Sequence, residues 1–70
     1  MKYKVTGYQY KSYTDDFSSA VYMANKIAID NKSWGKVEIN NRKDLYNCYS
    51  GEDGLFGEYT QLAHKLFKEL

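Results

Sequence analysis

The stretch TDDFSSAVYMANKIAIDN, residues 14–31, decides how the rest of the chain can fold. Its apolar residues recur at the spacing of an amphipathic helix, which commits one stripe of that helix to a core. The stripe consists of Phe17, Ala20, Val21, Ala24, Ile27 and Ala28. Thr14, Asp15 and Asp16 supply an N-cap and acidic residues for the first turn. The pattern therefore predicts a helix over residues 15–31.

On the amino-terminal side of this helix, residues 2–13 alternate with a period of two, as a β-strand does. One face of that strand carries Lys2, Lys4, Tyr8 and Tyr10. A glycine inside a strand pattern marks either a bulge or a turn, so Gly7 allows one bent strand or a short hairpin that turns at Thr6-Gly7. We favour one bent strand.

On the carboxyl-terminal side, Lys36–Asn40 alternates as a second strand and Leu45–Tyr49 follows as a third. The residues between them favour a tight reversal, because asparagine tolerates left-handed backbone angles. Three glycines within residues 50–57 predict a loop. From Glu58 onward the apolar positions return to helical spacing and predict a second helix over residues 58–70.

The element order β-α-β-β-α predicts the α+β class, in a single domain covering residues 1–70. The simplest arrangement is a two-layer sandwich, in which a three-stranded, mostly antiparallel sheet carries both helices on one face. A right-handed crossover would let the third strand lie between the first and the second. The other face of the sheet then stays open.

The charge balance excludes two classes of protein. Ten Lys and Arg residues oppose nine Asp and Glu residues, so the formal net charge is +1. That value argues against a polybasic nucleic-acid coat and equally against an acidic mimic of DNA. No apolar run approaches the length of a membrane span, about 18 residues, and the single cysteine suits a reducing compartment. We therefore expect a cytoplasmic protein that does not enter a membrane.

Catalytic and metal-binding constellations are not evident in the sequence. Cys48 and His64 are the single thiol and the single imidazole, and a thiol enzyme would need both with a third group to orient the imidazole. A zinc site needs three or four ligands. The acidic residues around the glycine-rich segment would repel phosphate, and their spacing does not fit an EF-hand. We expect no enzyme activity, no metal and no cofactor.

The tyrosine content points to binding. Eight tyrosines are more than so short a chain can bury while giving every hydroxyl a partner. We predict a partner-binding surface on the open sheet face, made of Lys2, Lys4, Tyr8 and Tyr10 together with Tyr46 or Tyr49, according to register.

Two further apolar sites have two interpretations each. Leu55 and Phe56, between glycines and acids, could anchor a basic partner surface, or Phe56 could fix the last helix to the core. Trp34 is either a lid on the core or an interface hot spot.

The run from Tyr3 to Tyr49 joins a Tyr/Lys strand to TDDFSSAVYMANKIA and then to WGKVEINNRKDLYNCY. In this strand–helix–hairpin plan it resembles small early proteins encoded by bacteriophages, including some anti-CRISPR inhibitors. The resemblance implies a compact inhibitor that occludes a site on a host defence or nucleic-acid machine by surface contact. It assigns a role to no individual residue.

Our functional hypothesis is a non-enzymatic module that binds a host protein or ribonucleoprotein complex. Two alternatives stay open. The Tyr/Lys sheet face could bind single-stranded nucleic acid, because aromatic rings stack on bases and lysines contact phosphates. The chain could also be a self-associating structural protein, for example a homodimer, because a small core with exposed aromatic residues favours self-association.

Overall fold

The computed structural model describes residues 2–39 and 43–67. It is an α+β fold in which a five-stranded sheet is combined with two helices. The elements are β1 (Tyr3–Gly7), β2 (Tyr10–Thr14), α1 (Phe17–Asn31), β3 (Trp34–Ile39), β4 (Lys43–Gly51), β5 (Gly54–Tyr59) and α2 (Gln61–Phe67). The strands lie in the order β2-β1-β3-β4-β5, and every neighbouring pair is antiparallel.

The prediction of one bent strand over residues 2–13 is wrong, because this segment is the β1–β2 hairpin. The hairpin turns at Tyr8 and Gln9, where Gln9 has a left-handed φ of 54°. It does not turn at Thr6-Gly7, since Gly7 belongs to β1. A Cβ atom at Gly7 would lie 2.5 Å from Cγ2 of Ile27, so this glycine serves the close approach of α1.

The predicted loop over residues 50–57 is also wrong. β4 continues to Gly51, a two-residue turn follows, and β5 begins at Gly54, whose φ is 110°. The second helix consequently begins at Gln61 and not at Glu58. With both hairpins counted, the sheet has five strands and not three.

The predicted strand order is wrong for a related reason. β3 pairs directly with β1, and β4 lies on the outer side of β3. Because the β1–β2 hairpin reverses the chain before α1, β3 returns antiparallel to β1 and can pair with it. The predicted reversal at residues 40–42 lies outside the described residues.

The helix predicted over residues 15–31 is present as α1, which begins two residues later. Asp16 is its N-cap, and Asp16 Oδ2 accepts hydrogen bonds from the amide of Ser19 at 2.9 Å and from the Ser19 hydroxyl at 2.8 Å. The helix ends at Asn31, and the next residue, Lys32, is its C-cap with a left-handed φ of 48°.

Small residues let α1 lie close to the sheet. Ala20, Ala24 and Ala28 are fully buried along one stripe of the helix. Opposite them, a Cβ atom at Gly35 of β3 would overlap the backbone carbonyl of Ala24. The helix therefore packs against β3 with little side-chain volume between the two backbones, and the larger buried side chains Val5, Val37 and Leu45 complete this part of the core.

An aromatic cluster continues the core towards β5. The ring centroids of Tyr3 and Phe17 are 5.5 Å apart, those of Phe17 and Tyr59 are 6.2 Å apart, and those of Tyr59 and Tyr46 are 4.9 Å apart. The Tyr46 hydroxyl donates a 2.6 Å hydrogen bond to Oδ1 of Asn25 on α1. This bond satisfies the polar end of a ring that is otherwise buried.

Thr60 joins β5 to α2. Its hydroxyl donates to the backbone carbonyl of Asp44 at 2.7 Å and accepts from the amide of Ala63 at 3.3 Å. Ala63 is buried in the same core, so the start of α2 is held beside β4.

Candidate protein-binding surface

The face of the sheet that α1 leaves uncovered is called the open face below. Tyr3 and Val5 of β1 are buried on the α1 side, as the contact between the Tyr3 and Phe17 rings shows. Successive strand residues point to opposite faces, so Lys4 and Thr6 lie on the open face. The pairing register then assigns a face to residues of every other strand.

Three aromatic side chains lie in register across the open face. Trp34 of β3 pairs with Tyr49 of β4, and Tyr49 pairs with Phe56 of β5. Their exposed fractions are 39%, 57% and 61%, respectively. We call these three residues the aromatic row. Tyr8, which is 52% exposed, follows the pair Gly7–Gly35 and lies at the β1 end of the row.

The next set of residues paired across the five strands is polar and consists of Lys11, Thr6, Lys36, Asn47 and Glu58. Beyond it, Glu38 is 8% exposed and accepts a 3.1 Å hydrogen bond from the Thr6 hydroxyl. The Lys36 ammonium lies 3.9 Å from the same carboxylate oxygen. The aromatic row is thus bordered by polar and charged side chains.

Charge is distributed unevenly along this surface. Between Asp44 and His64 the sequence has no Lys or Arg residue but has the acids Asp44, Glu52, Asp53 and Glu58. Near the other edge of the sheet lie Lys2, Lys4 and Lys11. The open face therefore changes from basic beside β2 to acidic beside β5.

A shallow cavity adjoins the aromatic row on the β4–β5 hairpin. Its volume is about 390 Å³, and it is lined by Asn47, Cys48, Tyr49, Phe56, Gly57 and Glu58. Its lining combines aromatic rings with polar groups.

Several residues predicted for the partner-binding surface lie on or beside the open face. Lys4 and Tyr49 are on this face, and Tyr8 is exposed at its end. Lys2 is exposed immediately before β1. Tyr13, which is not among the predicted residues, pairs with Lys4 and is 44% exposed.

Tyr10 and Tyr46 are corrections to the predicted surface. The hairpin places Tyr10 opposite Gly7, so Tyr10 is on the α1 side, where it is half-buried against the core. A single strand would have put it on the face of Lys4. Tyr46 is 5% exposed and points at α1, so of the two β4 tyrosines only Tyr49 contributes.

Leu55 and Phe56 do not form one anchor. Leu55 pairs with Ser50 and Phe56 pairs with Tyr49, so the two side chains point to opposite faces of β5. Because Phe56 is 61% exposed on the open face, it does not fix the last helix to the core.

Trp34 lies on the open face and is no lid on the core. The sequence contains a signal for this position, because Trp34 alternates in phase with Lys36 and Glu38 and out of phase with the apolar pair Val37 and Ile39.

The thiol and the imidazole occupy different environments. Cys48 is buried on the α1 side of β4, and this burial raises the pKa of its thiol. His64 is exposed on α2, with its ring centroid 6.3 Å from that of Tyr59. Within residues 2–39 and 43–67, no three His, Cys, Asp or Glu side chains come together as a metal site would require. None of the helices among these residues has the length and apolar character needed to cross a membrane.

Fold and surface together define a small α+β protein with an open aromatic sheet face. No protein-family model matches the chain, and neither a curated protein nor a solved structure is significantly similar to it.

Proposed function

We propose that this protein is a non-enzymatic module that binds another protein through the open face of its sheet. The observation that carries the proposal is the aromatic row, in which Trp34, Tyr49 and Phe56 are exposed in register on three adjacent strands. Aromatic side chains surrounded by polar groups are typical of the energetically dominant centre of protein interfaces. A partner that covers the row would remove this apolar surface from water.

The mixture of charges favours a protein as the partner. Lysines lie towards β2 and acids towards β5, so the open face offers complementary sites to a surface that itself carries both signs. Tyr49 and Tyr8 supply large rigid contact areas with few rotatable bonds, which keeps the entropic cost of binding low.

Binding without catalysis is supported by the state of the one thiol. The thiolate is the nucleophilic form of cysteine, and burial of Cys48 disfavours it. The resemblance of residues 3–49 to phage-encoded inhibitors suggests the class of partner: a host defence or nucleic-acid-processing complex in the bacterial cytoplasm, which this protein would inhibit by occluding a working surface.

Site-specific photo-crosslinking in bacterial cells tests this proposal. A photoreactive benzoylphenylalanine at position 49 is compared with the same residue at position 22, where Tyr22 is 66% exposed on α1. We expect position 49 to crosslink to one protein or complex, and position 22 to give no such product. Equal crosslinking from both positions, or none from position 49, would contradict the proposal.

The double variant Tyr49→Ser/Phe56→Ser provides a second arm of the same test. The photoreactive residue is placed at position 8 in this arm. The double variant should abolish the crosslink that forms from position 8, because it removes two of the three rings of the aromatic row. The matched variant Tyr22→Ser removes an equally exposed ring from α1 and should leave the crosslink unchanged.

A second candidate function is binding of single-stranded nucleic acid. The observation that favours it is that Lys11 and Lys36 lie next to the aromatic row. Nucleic-acid bases stack on aromatic rings, and lysines contact phosphates. The acids of the β4–β5 hairpin oppose it, since they repel phosphate. Quenching of Trp34 fluorescence by an oligonucleotide, with an affinity that falls steeply with salt, would put this function in place of protein binding.

A further inference from the structure

β5 is an edge strand whose outer side is not covered by any strand of the described residues. All of its residues, Gly54–Tyr59, are exposed, including the large side chains Leu55, Phe56 and Tyr59. The opposite edge strand, β2, alternates between half-buried and exposed residues and carries the edge lysine Lys11. β5 is therefore the more exposed of the two edges and the one without a lysine.

The backbone groups that β5 presents outward follow from its hydrogen bonding to β4. The amide of Thr60 donates to the carbonyl of Leu45 at 3.0 Å, so residues 60 and 45 form a hydrogen-bonded pair of the antiparallel ladder. Such pairs alternate along the strand, and the next ones are 58 with 47 and 56 with 49. The amides and carbonyls of Leu55, Gly57 and Tyr59 consequently point away from β4.

The outer edge has few of the devices that normally prevent strand addition. Natural edge strands are protected by charged side chains, above all lysines, and by prolines, bulges or very short length. β5 reads GLFGEY, in which Glu58 is the single charge and neither lysine nor proline occurs, and its pairing with β4 is regular over all six residues.

The charges around β5 select the occupant. Glu58 lies on the strand itself, Glu52 and Asp53 form the turn before it, and no Lys or Arg lies between Asp44 and His64. An added basic segment would be attracted to these acids, whereas a second copy joined edge to edge through β5 would bring the same acids against each other.

We propose that β5 accepts an extended segment of a protein partner, carrying Lys or Arg at alternate positions, as an additional strand of the sheet. The inference rests on the proposed function and gives it a binding mode, because main-chain hydrogen bonds provide affinity and alternate side chains provide specificity. Basic side chains of the segment lie beside Phe56 and Glu58 on the open face. Apolar ones lie beside Leu55 and Tyr59 on the other.

The test is an NMR titration of the isotopically labelled full chain with three blocked peptides about seven residues long, the length of an ordinary strand. In the first peptide lysine and valine alternate, in the second glutamate replaces lysine, and the third is the lysine peptide with N-methylated central amides. We expect the lysine peptide alone to bind, with the largest amide shifts at Leu55, Gly57 and Tyr59 and with an affinity that falls as salt increases.

A charge reversal tests the role of the acids. Glu58→Lys should weaken binding of the lysine peptide about fivefold, whereas Asp30→Lys, an equal charge change on α1, should leave the affinity within about twofold of the wild type.

Each other result overturns the inference. Equal binding of the N-methylated peptide would show that the backbone of the edge is not used. Shifts confined to Trp34 and Tyr49 would leave the proposed function standing and reject the edge. Absence of binding, or concentration-dependent sedimentation that shows pairing of β5 with a second copy, would reject the basic segment as its occupant.

Discussion

Gly57 lies where the Tyr46 ring crosses β5 to reach α1. A Cβ atom at this position would overlap the Tyr46 hydroxyl, which is the group that donates to Asn25. The glycine is therefore required by a neighbour in the fold and not by its own backbone angles. Of the three glycines that predict a loop over residues 50–57, Gly51 and Gly54 flank a real turn, whereas Gly57 lies inside a strand.

Gly57→Ala should displace the Tyr46 ring and break its hydrogen bond to Asn25. We expect the free energy of unfolding to fall by about 1–3 kcal/mol, measured by urea denaturation. Gly51→Ala is the control, because there the nearest atom belongs to the exposed Tyr49 ring, at 3.2 Å, which can move aside. Equal losses in the two variants would contradict this account of Gly57.

Asp16 makes stability depend on pH at the start of α1. The hydrogen bond from the Ser19 amide, followed by the one from its hydroxyl, lowers the pKa of the Asp16 carboxyl. A carboxyl whose pKa is lower in the folded than in the unfolded chain stabilises the fold above its unfolded pKa. This contribution is lost as the pH falls through the folded pKa.

Asp16→Asn keeps an oxygen for the N-cap and removes the charge. The melting temperature of the wild type should exceed that of the variant at neutral pH, and the difference should shrink as the solution is acidified towards the pKa of Asp16. Thermal melts of both proteins over this pH range provide the measurement. A difference that does not change with pH would show that the carboxylate charge has no role.

At the scale of elements, α1 is the part of the fold that the sequence predicts best. Its apolar stripe and its N-cap are local signals, and the helix forms over the predicted stretch; Asp15 and Asp16 precede its first turn instead of lying in it, because the helix begins at Phe17. The β1–β2 hairpin is harder to predict, because Tyr8 and Gln9 are not typical turn residues and the alternation of apolar and polar residues continues on both sides of them. One misplaced turn then puts Tyr10 on the wrong face and changes the strand order.

A substitution in the β1–β2 turn should increase the stability of the fold, since the turn holds Gln9 at a φ of 54°. A residue with a side chain is strained in this left-handed region, and glycine is not. Gln9→Gly should therefore raise the free energy of unfolding by about 0.5–1 kcal/mol in a denaturant titration. Gln61→Gly, within α2, is the contrasting variant and should lower it. A loss of stability in Gln9→Gly would mean that its side chain makes a contact that outweighs the strain.

The candidate surface could be predicted only in part. The surplus of tyrosine is visible in the composition, and of the eight tyrosines five are exposed: Tyr8, Tyr13, Tyr22, Tyr49 and Tyr59. Which rings share a face depends on strand register, and the pairing of Tyr49 with Trp34 and Phe56 joins residues that are distant in sequence. No local pattern contains that information.

At the scale of the whole molecule, the exposed row and the buried cluster should differ in their effect on stability. Tyr49→Ser/Phe56→Ser removes two exposed rings and should change the free energy of unfolding by less than about 1 kcal/mol. Tyr46→Ser removes a buried ring and should cost about 3–5 kcal/mol. Denaturant unfolding of both variants gives the comparison. If the double variant unfolds as readily as Tyr46→Ser, the row belongs to the core and is not a binding surface.

The central claim is that a partner covers the aromatic row inside the cell. Hydroxyl-radical footprinting, carried out on the purified protein and on the protein in living bacteria, measures this coverage directly. We predict that Trp34, Tyr49 and Phe56 are oxidised readily in the purified protein and are protected in cells, whereas Tyr22 is oxidised equally in both. Equal oxidation of the row in the two settings would contradict the claim.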